Sequence, residues 1–315
     1  MKHSHELFIN RIIGRLIIFS FAITSTILCH SQSISASGSL GSFIVCEGSP
    51  SSEDSFIVSG INLTNDITVT APSGFELSIN SGSGFVSNLT LPQNAGAVGF
   101  TTIYVRVASA SVVSGNSDAL SANIVCSSLN ASPQNILATG TIYNTPVAFA
   151  GSDLDQCNTS NFTLSATDPP VGSGVWTSNG GSITSPSAYN SAITGITLGN
   201  SYTFTWTVSN GSCADAIDDL VLTNNTLPVA SASTSTASVC ELASVSLTGL
   251  ASDGSGSGYN YSWTGPDSYS STSQNPNVSS NANTNMSGTY SLIVTDGKNC
   301  LSTPSTVDVL VSSNV

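Results

Sequence analysis

The placement of cysteines constrains this chain more than any other feature. Cys46, Cys126, Cys157, Cys213, Cys240 and Cys300 follow one another at alternating long and short intervals. A long interval matches one small β-domain, and a short one matches a boundary between domains. The spacing predicts three domains, each closed by one disulfide: Cys46 with Cys126, Cys157 with Cys213, and Cys240 with Cys300. Six cysteines admit many connectivities, but only neighbour pairing keeps every bond inside one unit. By chain entropy each such bond stabilises by roughly 4 kcal/mol, which matters for domains with small cores.

The first stretch reads as a secretory signal over residues 1–31. Lys2, Arg11 and Arg15 form a basic start, and residues 16–29 form an apolar run too short for a membrane span. Small residues Cys29 and Ser31 suit a cleavage site that leaves Gln32 first. Acylation of Cys29 would instead want a small residue where Leu28 stands. Cleavage would remove His3, His5 and His30, and would leave Arg106 and Lys298 of the 5 cations against all but one of the 18 acids. The cysteine count also becomes even, which in an exported chain favours disulfides. So acidic a chain has nothing to neutralise nucleic-acid phosphates, and anionic membrane surfaces repel it.

After the leader, short stretches of period 2 are bounded by Gly, Asn, Asp, Ser and Pro, the pattern of an all-β sandwich. The first unit spans 32–145. Strands are expected at 55–60, 66–70, 102–107 and 135–142, and Phe75, Leu77 and Ile79 share one face. Arg106 then faces outward. The second unit, 146–227, places Phe162, Leu164 and Ala166 on one face, and Tyr202, Phe204, Trp206 and Val208 on another. The third, 228–315, repeats the plan with Val245 and Leu247, then Tyr259, Tyr261 and Trp263, then Tyr290, Leu292 and Val294. Asn210-Gly211 and Asp296-Gly297 are turn signals just before Cys213 and Cys300. Trp206 and Trp263 belong to the core by their companions, and Trp176 joins them rather than forming a sugar-stacking platform.

Without a mature histidine, Ser-His-Asp and Cys-His catalysis and imidazole metal sites are excluded. Lys298 lies in an exposed turn, where it is unsuited to a Ser–Lys dyad. Ca²⁺ is the credible ion, since Asp153 and Asp155 alternate before Cys157 while Asp215, Asp218 and Asp219 follow Cys213. A Cys157–Cys213 bond would bring both groups to one end of the second unit.

Three sets of residues carry a resemblance. Residues 55–78 with Thr101-Thr-Ile-Tyr-Val-Arg106 resemble a β-sandwich module of secreted Bacteroidota proteins. Gly172-Ser-Gly-Val-Trp-Thr177 and Tyr202-Thr-Phe-Thr-Trp-Thr-Val-Ser-Asn-Gly211 resemble their PKD-like or Ig-like repeats, and residues 261–266 and 287–296 resemble Ig-like repeats of surface adhesins. The resemblance implies a tandem array of three Ig-like β-sandwich domains, with Tyr202 and Tyr290 as tyrosine corners. It implies a first strand parallel to the last, with the two cysteines of each unit meeting at the same end. Leu292 and Phe204 stand where an antibody-type domain has its core cysteine, so the bond moves to the edge. No terminal sorting module is seen before Val315.

The expected product is a secreted or cell-surface, non-catalytic repeat protein with an adhesive or structural role. Its partners would be extracellular protein or glycan surfaces, with no membrane insertion after signal cleavage. The competing reading is an accessory, carbohydrate-binding region of a larger secreted hydrolase. A reading frame continuing past Val315 into a catalytic domain would favour that second reading.

Overall fold

The apolar and polar alternation becomes strands throughout, and the three expected units fold around three separate hydrophobic clusters. The computed structural model describes residues 31–109 and 115–313. The expected leader, with Cys29 and the three histidines, lies outside the described residues apart from Ser31.

The first unit contains β1 (Ser33–Ser37), β2 (Ser42–Cys46), β3 (Asp54–Ile61), β4 (Ile67–Thr70), β5 (Phe75–Ser78), β6 (Asn88–Leu91), β7 (Val98–Val107), β8 (Ser117–Ser127) and β9 (Gln134–Tyr143). They form two sheets, β1-β3-β7-β5 and β2-β9-β8-β4-β6. Inward residues of both sheets, among them Phe56, Leu77, Ile103 and Ile124, fill the space between. Arg106 faces outward as expected. It pairs with Glu76 across the strands at 2.5 Å and lies over the Phe85 ring. The Phe75–Ile79 face breaks early, because β5 stops at Ser78. Ser78 is buried and its hydroxyl donates to the carbonyl of Ser83, so the chain turns and Ile79 points to solvent.

The second unit contains β10 (Leu154–Cys157), β11 (Phe162–Thr163), β12 (Ser173–Ser178), β13 (Ser182–Ile183), β14 (Ala192–Thr194), β15 (Asn200–Ser209) and β16 (Ala216–Asn225). Its sheets are β10-β16-β15-β12 and β11-β14-β13. Trp176 and Trp206 face each other across β12 and β15, with ring centroids 5.0 Å apart. Gly174 is required beside them, because a Cβ there would fall 1.9 Å from the Trp206 ring.

The third unit contains β17 (Pro228–Thr234), β18 (Ser238–Cys240), β19 (Val245–Asp253), β20 (Tyr259–Thr264), β21 (Ser270–Ser271), β22 (Asn277–Ser279), β23 (Gly288–Asp296) and β24 (Ser305–Ser312). Its sheets are β17-β19-β22 and β18-β24-β23-β20-β21. The buried Tyr290 hydroxyl donates to the carbonyl of Met286 at 3.0 Å, and Tyr202 Oη accepts from the Thr197 N–H at 3.0 Å. Both are the expected tyrosine corners, each tying a strand to the loop before it.

One feature recurs in all three units. A short first strand runs parallel to the last: β2 with β9, β10 with β16, and β18 with β24. The described strands define the class: a tandem array of Ig-like β-sandwiches.

Candidate functional site: two disulfide-bonded junctions

The cysteine pairing differs from the sequence expectation. Cys46 is bonded to Cys213 and Cys157 to Cys300, with Cα–Cα distances of 4.9 and 5.6 Å. Each bond crosses from one unit to the next. Cys126 and Cys240 are free, the first buried and the second exposed. None of the three expected bonds within units is present, yet the three cores remain distinct.

The parallel edge strand explains the correction. Cys46 ends β2 opposite Tyr143, the last residue of β9, whereas Cys126 lies opposite Gln134, the first. A strand the length of β9 holds those two positions roughly 30 Å apart, far beyond the reach of a disulfide. Cys157 likewise sits opposite Asn225 at the end of β16, while Cys213 lies in the turn before β16 begins. Cys240 and Cys300 stand in the same relation to β24. The two cysteines of a unit therefore mark opposite ends of it. Stacking the units end to end then brings the far-end cysteine of one against the turn cysteine of the next. Parallel pairing, which the resemblance implied, contained this signal: a residue ending a parallel first strand must lie at the far end of the last.

The first junction is built around the turn after β15. Asn210 is buried, and its amide donates to the carbonyls of Asn116 at 2.8 Å and Asn144 at 2.7 Å, both in the first unit. Gly211, at φ 55°, lies against the Tyr143 ring, where a Cβ would approach within 2.2 Å. The Gly172 N–H donates to Asn116 Oδ1 at 3.1 Å. The chain link after Tyr143 and the Cys46–Cys213 bond enter this contact side by side.

The second junction uses the turn after β23. Asp296 is buried and accepts from the N–H groups of Ser255, Lys298 and Cys300 at 2.7, 2.9 and 2.9 Å. Burial works to raise its pKa, but these three donors outweigh it and hold the carboxyl below its ordinary value. Across the junction Lys298 Nζ meets Asp155 Oδ2 at 2.7 Å, and the Thr226 N–H donates to Ser255 Oγ at 3.1 Å. The hydrogen bond from Lys298, then that from Asn225, lowers the pKa of Asp155.

The calcium candidates are dispersed among separate partners. Asp153 accepts from the Val221 N–H, Asp155 pairs with Lys298, Asp218 accepts from the Ala150 N–H, and Asp219 accepts from Thr205 Oγ1. Asp153 and Asp155 share an open groove of about 290 Å³ with Lys298. Asp215 is exposed beyond the start of β16. The bond expected to draw the two groups together, Cys157 to Cys213, is not formed. Among the described residues no group of three or more His, Cys, Asp or Glu side chains is placed to hold a metal ion.

The tryptophans are all interior: Trp176, Trp206 and Trp263 are at most 2% exposed, which removes them as a stacking platform. Cys126 lies in the first core, and burial pushes its thiol up to about 11. Among the described residues no helix is long and apolar enough to cross a membrane.

No protein-family model matches the chain. No curated protein sequence matches it. Among solved structures, it is similar to the N-terminal eight Ig domains of Down syndrome cell adhesion molecule, at 10% identity over 90% of this chain, with a TM-score of 0.39. This chain spans 37% of that one. It is also similar to the mouse nectin-like molecule 4 ectodomain, Ig1–Ig3, at 12% identity over 87% of this chain and 98% of that one, with a TM-score of 0.36. A third is extracellular domains 3–5 of Drosophila OTK, at 11% identity over 90% and 97% of the two chains, with a TM-score of 0.32.

Proposed function

We propose that this protein is an exported, non-catalytic Ig-like repeat array that works as a tension-resisting spacer or adhesive stalk at the cell surface. One observation carries the reading: both junctions are bridged by a disulfide between neighbouring units. Such bonds form and persist in oxidising compartments outside the cytosol, in keeping with the basic and apolar leader.

The two bonds are interlaced, because Cys157 lies inside the loop closed by Cys46 and Cys213. Pulled from its ends, the oxidised chain must pass from Cys46 to Cys213, back along 157–213, and on through Cys157 to Cys300. Even with every unit unfolded, that path extends to roughly 200 Å, against roughly 900 Å for the reduced chain between the same points. A tether so limited keeps its ends close under load. A second link at each junction also restrains swivelling about the peptide link. The acidic surface favours solubility and repels anionic membranes. Partners would be extracellular proteins or glycans met at loops and strand edges.

Single-molecule stretching between the two ends tests the proposal. Between Cys46 and Cys300 the oxidised protein is expected to stop at an end-to-end extension of roughly 200 Å, and addition of reductant is expected to lengthen it severalfold. Equal contour lengths before and after reduction would overturn the reading.

A further inference from the structure

We propose that Cys240 forms a third forward disulfide, to a cysteine in the turn between the last two long strands of a further Ig-like unit docked on the end of the third. Cys46, Cys157 and Cys240 each end the short parallel strand of their unit, opposite Tyr143, Asn225 and Ser312. Those three residues each end the last long strand. The residue after each cysteine makes the same backbone bond: Glu47 N–H to the Tyr143 carbonyl at 2.8 Å, Asn158 to Asn225 at 3.0 Å, and Glu241 to Ser312 at 2.9 Å. Cys240 thus occupies one position of a threefold repeat. The other two copies of that position are bonded forward to the next unit's turn.

The surroundings fit a docked unit. Cys240 is exposed, and Leu242 beside it leaves an apolar side chain 71% exposed at the same end. The chain leaves the third unit past Ser312 at this end, as it leaves the others past Tyr143 and Asn225. Among the described residues the other free thiol, Cys126, is closed in the core of the first unit and kept protonated. Cys46, Cys157, Cys213 and Cys300 already have partners, so among the described residues a second copy of the chain could offer Cys240 alone as an exposed thiol.

Bond formation converts two thiols to one disulfide, with loss of two protons and two electrons. The electrons pass by thiol–disulfide exchange, through a mixed disulfide, to the exchangeable disulfide of an export-compartment oxidoreductase, which leaves as a dithiol. The inference rests on the exported reading above only for that oxidising compartment.

The test is made on protein isolated from its own producing cells with free thiols blocked at lysis. Trypsin would leave Cys126, Cys157, Cys213 and Cys240 in one peptide between Arg106 and Lys298, so pepsin is used for non-reducing mapping. The expected result is a Cys240 peptide linked to a peptide foreign to residues 31–315, with an Asn-Gly or Asp-Gly turn before its cysteine. The variant C240S, produced the same way, is expected to show one more thiol than the wild type on denaturation, because the partner is released. A thiol count that falls by one in C240S, or stays unchanged because two copies had joined through Cys240, overturns the proposal. So does a Cys240–Cys126 peptide. If Cys46–Cys213 and Cys157–Cys300 are intact while Cys240 is free, only this inference fails. If all six cysteines are free, the exported reading fails with it.

Discussion

The two junctions have the same covalent plan and opposite polar chemistry. At the first, a buried side chain reaches outward: Asn210 donates to two carbonyls of the preceding unit. At the second, the residue before the turn glycine is Asp296, and it turns inward, accepting three N–H groups of its own unit. An amide carries donors and can satisfy foreign carbonyls, whereas a carboxylate only accepts, and Asp296 finds its donors in its own turn and in the β19–β20 loop of the same unit. The second junction therefore relies on the Lys298–Asp155 pair and the Thr226–Ser255 bond for its polar contacts across the units. That pair is nearly half exposed, so it is the weaker fastening. The disulfide carries more of the second junction than of the first.

The largest effect should come from the bonds themselves. Removing Cys157 and Cys300 together is expected to cost about 3–5 kcal/mol in denaturant unfolding. It should also open the link at residues 226–227 to limited proteolysis. Removing Cys46 and Cys213 should cost as much, yet leave the link at 144–147 protected, because Asn210 and Tyr143 still close that contact. Equal cleavage of both links would erase the contrast drawn here.

Next comes Gly211→Ala, where the new methyl meets the Tyr143 ring and the backbone sits in the left-handed region. A loss of about 2–4 kcal/mol is expected, read as a lower thermal midpoint. Gly297→Ala has no contact of this kind across its junction. Its close neighbours are Ser257 and Gly256 of the same unit, so it should weaken the third unit without loosening the second junction.

Asp296→Ala leaves three N–H groups without their acceptor and is expected to cost about 2–3 kcal/mol. Its pH signature separates the junctions. The folded pKa of Asp296 is depressed, so its contribution is complete above the unfolded carboxyl value of about 4 and is lost as pH falls through the lower folded value. Acid should therefore loosen the third unit's turn, and Asp296→Asn should remove that dependence. Asn210 does not titrate. Asn210→Ala should cost about 1–2 kcal/mol, equally at pH 3 and pH 7 as followed by thermal unfolding.

Lys298→Ala should have the smallest effect. Both partners of the pair are well exposed, so the thermal midpoint should barely move and the difference should vanish in high salt. A large loss here would mean that the second junction is held by charge after all.

Much of the fold was legible from period and composition. Trp206 and Trp263 sit on alternating strands among apolar companions, and both are buried, as is Trp176. Both tyrosine corners and the parallel first strands follow from the resemblance to Ig-like repeats rather than from period alone. Ile79 departs from its expected face because alternation does not reveal where a strand stops. Ser78 ends it by hydrogen bonding inward, and a serine at a core position gives no apolar signal. Among the candidate ligands, Asp218 and Asp219 read as a cluster. Neighbours on a strand point to opposite faces, and the two carboxylates serve Ala150 and Thr205 separately.

The amino-acid sequence alone determined that this chain is all-β, that it divides into three sandwich units, and that its cysteines stand at unit ends. Those properties are local, written in side-chain alternation and turn residues over a few positions at a time. Only the tertiary structure decided which cysteines join. A disulfide needs two Cα atoms within a few ångströms of each other, and that proximity arises when one unit's end is stacked on the next unit's turn. The arrangement converts three apparent domain closures into two fastenings between domains, with Cys126 sealed in a core and Cys240 held out at the third unit's end.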